Sequence, residues 1–129
     1  MKNLLGISAI AELATGISSL AAPALLSQIL LGSTLDTVAG LALARVPGVA
    51  LVSLGLACWF GSRDTHSRAS LGIVAAMLVY NLGVFALLVS LRYGAGMTGM
   101  GLLPVSALHV ALAVWCIACL RMALSPKRT

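Results

Sequence analysis

Apolar and polar positions alternate along this chain in long blocks rather than at the spacing of a soluble fold. Long stretches of Leu, Ala, Val and Gly are separated by short polar segments. A membrane-spanning helix needs about 20 predominantly apolar residues, with a range of about 17–25. The first apolar block runs from Leu4 to Leu31. One helix over that block would reach roughly 42 Å, too long for a hydrocarbon core of about 30 Å. Pro23 supplies the break, because it lacks an N–H and disfavours helix at Ala22. The pattern therefore predicts helix 1 over Leu4–Ala22 and a short helix over Ala24–Leu31, flat in the membrane interface, with Ser27 and Gln28 polar. Gly32 to Asp36 reads as a turn that includes a helix cap. Further spanning helices are predicted over Thr37–Phe60, Ala69–Leu91 and Leu102–Met122. A polar loop containing Arg63, Asp64 and His66 and a Gly-rich loop over Arg92–Gly101 join them. The expected fold is all-α: one domain over residues 1–129, an up-down bundle of four transmembrane helices with an interfacial helix after the first.

Composition agrees with the pattern. The chain is 60% hydrophobic and 9% charged, against about 45–50% and about 25% in soluble domains. That balance excludes a soluble globular domain, and equally a disordered one, which needs low hydrophobicity and high charge. The net charge of +5 sits mainly at the ends of apolar blocks, so it reads as a topology signal and not as a nucleic-acid surface. With the N-terminus inside, the inner side carries Lys2, Arg63, Arg68, Arg121, Lys127 and Arg128, and the outer side only Arg92. This asymmetry predicts a bacterial inner-membrane protein with both termini cytoplasmic. Trp59 and Tyr93 suit interface anchors. The start also has features of a secretory signal: Met-Lys-Asn, an apolar run and small residues around Ser19-Leu20-Ala21. Glu12 in mid-run argues against that reading.

Several residues have a chemical reading beside a plainer one. Gly94–Gly99 matches G-x-G-x-x-G, but that motif works only between a strand and a helix of a βαβ unit, so a flexible loop is the better reading. Cys116 and Cys119 form a C-x-x-C, with Cys58 at similar depth. A redox or metal cluster is one reading, and small apolar packing residues the plainer one. Glu12 belongs to a stripe with Ser8, Thr15 and Ser19 on one face of helix 1. Such a face should point into the bundle, where an unpaired carboxyl is expected to hold its proton. Arg45 stands in mid-helix next to Pro47. It either snorkels outward or bonds backbone that the proline loosens. Asn81, beside Tyr80, and His109 are the other deep polar groups. They lie roughly 18 and 20 Å above the inner surface, with Arg45 roughly 22 Å up and Glu12 roughly 12 Å. The depths predict that Arg45 contacts Asn81 or His109, and that Glu12 and Arg45 do not pair.

Ala11-Glu12 in the first of four helices resembles the small multidrug resistance transporters, in which this carboxylate binds protons and cationic drugs. The likeness covers helix 1 and the helix count, whereas Arg45-Pro47 and His109 are foreign to that family. Glu12, Arg45, the basic loop of Arg63 and Arg68, and Tyr80-Asn81 give a broader resemblance to small four-helix bacterial inner-membrane proteins. Gly40, Ala44 and Gly48 form a small-residue face that suits close contact within the bundle, or with a second copy in a homodimer or larger complex. No catalytic motif and no cofactor motif is present. The leading expectation is a non-enzymatic accessory or structural protein, or a binder of a small apolar ligand. The candidate ligand or proton site is Glu12, Arg45, Asn81, His109 and Tyr80. The alternatives are a proton-coupled transporter using Glu12 and a thiol redox or metal protein using Cys58, Cys116 and Cys119. The lipid bilayer is the expected partner, and no nucleic acid is expected.

Overall fold

The computed structural model describes residues 1–125, so the Lys127-Arg128 pair of the basic tail lies outside the described residues. Five helices follow one another: α1 Lys2–Ala21, α2 Pro23–Leu31, α3 Val38–Gly61, α4 Arg68–Tyr93 and α5 Leu102–Leu124. All but α2 are long and apolar enough to cross a membrane. The helix ends follow local chemistry. Ala22 leaves helical geometry at φ −138° and ψ 60°, and Pro23 then opens α2, where its missing N–H costs nothing. Thr37 caps α3 by accepting from the Gly40 amide at 3.0 Å. Ser67 caps α4 by accepting from the Ser70 amide at 3.1 Å. The turn before α4 is further held by Ser70, which donates to the Gly61 carbonyl at 3.1 Å and also reaches the Asp64 carbonyl. The Arg63 guanidinium lies 4.8 Å from the Trp59 ring centre, a cation–π contact.

The helices associate as two intimate pairs, α1 with α3 and α4 with α5, and the pairs meet more sparingly. Backbone proximity explains the first pair. A Cβ on Gly16 would stand 2.8 Å from the Gly48 carbonyl oxygen, and one on Gly48 would stand 3.0 Å from that of Gly16. Only glycines allow such an approach, the membrane-type packing of small residues. The face on α3 is Ala44, Gly48 and Gly55, and its partner is α1. Gly40, expected to belong to it, instead turns toward Thr37 and Leu35. Ser19 reinforces the contact by donating to the Ala44 carbonyl at 2.7 Å.

The α2 helix does not stand apart from the bundle. It touches α1, α3 and α5, and the Gly101 amide donates to its Ile29 carbonyl at 2.8 Å. Ser27 is buried and donates to the Ser33 carbonyl at 2.9 Å, while Gln28 is exposed. The two polar residues of this helix are therefore split between inside and outside. At the opposite end of the bundle, Leu4, Leu5, Cys58, Val74, Met77 and Cys119 form a closed apolar core. The molecule is thus packed solid at one end and roofed by a short helix at the other.

Candidate functional site

Between the solid core and the α2 roof lies a partly enclosed cavity of about 170 Å³. Its polar walls come from separate helices: Glu12 and Thr15 from α1, Tyr80 from α4 and His109 from α5. Leu26 and Leu30 of α2 close it from above, and Leu108 and Leu112 supply apolar wall. Glu12 is 4% exposed and His109 8%, so both are buried groups that border a hollow. Burial of a carboxyl and an imidazole is costly unless hydrogen bonds satisfy them.

Those bonds form a directed chain. Asn81 is fully buried, and its Nδ2 donates to the Met77 carbonyl one turn back at 2.7 Å. That bond fixes which end of the amide is nitrogen, so Oδ1 is left to accept. His109 Nδ1 lies 2.7 Å from this Oδ1 and must be the donor. A neutral imidazole that carries its proton on Nδ1 presents an acceptor at Nε2, and His109 borders the cavity. The Tyr80 and His109 rings meet edge to face, with centroids 5.6 Å apart and planes at 76°. Tyr80 and Glu12 border the same cavity. Cys58 and Cys116 belong to the adjoining apolar core.

Four of the expected site residues, Glu12, Tyr80, Asn81 and His109, therefore come together. Arg45 does not join them. Its Nε donates to the Leu20 carbonyl at 3.2 Å, on an exposed part of the bundle. The expected contact with Asn81 or His109 is replaced by this one for a simple reason. Because the chain leaves helical geometry at Ala22, the Ala24 amide four residues on does not reach back to the Leu20 carbonyl, and a cation beside a helix C-terminus is favourable. The carbonyl that recruits Arg45 is thus freed by the helix break before Pro23, not by Pro47. Asn81 and His109 satisfy each other instead.

The stripe on α1 is partly as expected. Ser8, Glu12 and Ser19 are buried, while Thr15 sits at the exposed cavity rim. Ser8 Oγ is the one buried side-chain nitrogen or oxygen without a partner among the described residues. Cys58, Cys116 and Cys119 are free and buried, and among the described residues no three His, Cys, Asp or Glu side chains form a group that could hold a metal. Two features of the site escape sequence reasoning: the α2 roof through Leu26 and Leu30, and the pairing of Asn81 with His109. Equal depth is the only sequence signal for the second. A wider groove of about 450 Å³ between α2 and α3, bordered by Pro23, Leu31, Leu43 and Pro47, has apolar walls and offers no comparable polar set. Comparison with family models, curated proteins and solved structures finds no match to this chain.

Proposed function

We propose that this chain is a small multi-pass protein of the bacterial inner membrane, with both termini cytoplasmic, that binds a small and mainly apolar ligand in the cavity between α1, α4 and α5. The observation that carries the reading is the convergence of Glu12, Tyr80 and His109 from three helices on one hollow. Binding sites for small molecules are apolar hollows with a few convergent polar groups. A bundle built only for structure would fill such a space, because a void forfeits packing and leaves polar groups to be satisfied.

The experiment is fluorine NMR of fluorobenzene added to the protein in lipid nanodiscs, with empty nanodiscs as the reference for partition into lipid. Saturable binding is expected in the wild type and is lost in Ala11→Phe, which places a ring where Ala11 borders the cavity. Binding no stronger than in empty nanodiscs contradicts the reading.

One observation favours a second reading, proton-coupled transport. Glu12 is the acidic residue of the four long helices, since Asp36 and Asp64 lie in connections. Its carboxyl borders a hollow and faces a hydroxyl and an imidazole, the setting a carrier needs to exchange a proton for a ligand. In vesicles with an imposed pH gradient, Glu12→Gln then abolishes gradient-driven uptake of a bound probe while binding persists. Equal uptake in both proteins removes this reading and leaves binding in place.

A further inference from the structure

The cavity's size and its hydrogen-bond polarity together specify a ligand. We propose that it takes a neutral single-ring compound carrying a hydroxyl, a phenol in the simplest case, with the hydroxyl donating to His109 Nε2. This inference rests on the ligand-binding reading above and narrows it.

Size sets the upper bound. Drug-sized ligands occupy pockets of about 300–1,000 Å³, and an apolar cavity of about 150 Å³ engineered into another protein binds benzene. At about 170 Å³, this cavity matches one ring with a small substituent and excludes fused rings. Its apolar walls, with Leu108 and Leu112 among them, suit the ring face. The edge of an aromatic ligand also meets the Tyr80–His109 pair, whose own edge-to-face geometry continues the same packing.

Polarity sets the substituent. The chain from Met77 through Asn81 spends the His109 Nδ1 proton and leaves Nε2 as an acceptor. A ligand without a donor covers Nε2 and leaves it unsatisfied, and one with a hydroxyl satisfies it. A cationic ligand would surrender its hydration for one buried carboxyl, which disfavours it against a neutral donor.

The test compares 4-fluorophenol with fluorobenzene by fluorine NMR in nanodiscs, each corrected against empty nanodiscs. In the wild type, 4-fluorophenol is expected to bind about tenfold more tightly, the worth of one buried hydrogen bond. In His109→Asn, the amide keeps a donor for Asn81, while its acceptor Oδ1 sits on a shorter side chain and no longer reaches the position of Nε2, so the preference shrinks to about twofold or less while fluorobenzene binding stays. If fluorobenzene binds and the phenol shows no preference, or if His109→Asn retains the preference, the phenol assignment is overturned and the binding function stands. If neither probe binds, both fall. Should His109→Asn lose its fold, judged by gel filtration and circular dichroism, the wild-type comparison decides alone.

Discussion

His109 and Asn81 illustrate how a buried polar pair acquires a direction. Because Asn81 Nδ2 is committed to the Met77 carbonyl, the tautomer of His109 follows, and with it the acceptor offered to the cavity. Replacing Asn81 with Ala leaves a buried N–H on His109 unpaired and is expected to cost about 1–3 kcal/mol. In an unfolding cycle with His109→Leu, the double variant should lose less than the sum of the single variants. Strict additivity would mean that the pair is not coupled. Ser8 is the opposite case. Its buried hydroxyl has no partner, so Ser8→Ala should leave thermal stability in detergent unchanged or raise it by up to about 1 kcal/mol. At this scale the sequence marks which residues are expensive to bury: Glu12, Arg45, Asn81 and His109 all stand out as polar groups within apolar blocks. It does not say which pairs form. Depth along a helix is legible from rise per residue, but rotation about the axis and the neighbouring helix are not, and these send Arg45 to Leu20 and Asn81 to His109.

Helix existence and length are the most legible features, because long apolar blocks bounded by Pro23, Thr37, Ser67 and Gly101 carry their own start and stop signals. Helix ends shift by a few residues at most, and α1 begins at Lys2 rather than Leu4. The partner of each helix is less legible. A face of small residues on α3 is visible in the sequence, yet that it receives α1 through Gly16 and Gly48 depends on the rotation of both helices. Gly16→Val and Gly48→Val are each expected to destabilise the fold by about 1–3 kcal/mol by forcing backbones apart. Gly72→Ala and Gly83→Ala, where an added Cβ meets nothing within 4 Å, should be neutral or stabilising, since Ala is the better helix former by about 0.8–1.0 kcal/mol. Denaturant titrations in micelles order these variants; equal effects at all four sites would contradict the α1–α3 contact. The role of α2 was the least legible element. Its length fits an interfacial helix, and only the tertiary fold shows Leu26 and Leu30 turned onto the cavity.

At the scale of the whole molecule, the closed core at one end and the α2 roof at the other leave the cavity near the middle of the bundle, where a membrane protein shields a ligand from water. The basic residues are unevenly shared between the two ends. Arg63 and Arg68 flank the α3–α4 connection, and Arg121 lies in the last turn of α5. Reporter fusions in the 94–101 loop should therefore read outside, and fusions in the 62–67 loop should read inside. The reverse result would overturn the proposed orientation. The measurement that bears most directly on the central claim locates a bound probe. Intermolecular Overhauser contacts between fluorobenzene and the protein in nanodiscs should reach the His109 ring and the side chains of Leu26, Leu108 and Leu112, which border the cavity on α5 and α2. Contacts confined to outward-facing residues such as Val46, Val49, Phe60 and Val79 would place the probe in lipid and contradict a binding site within the bundle.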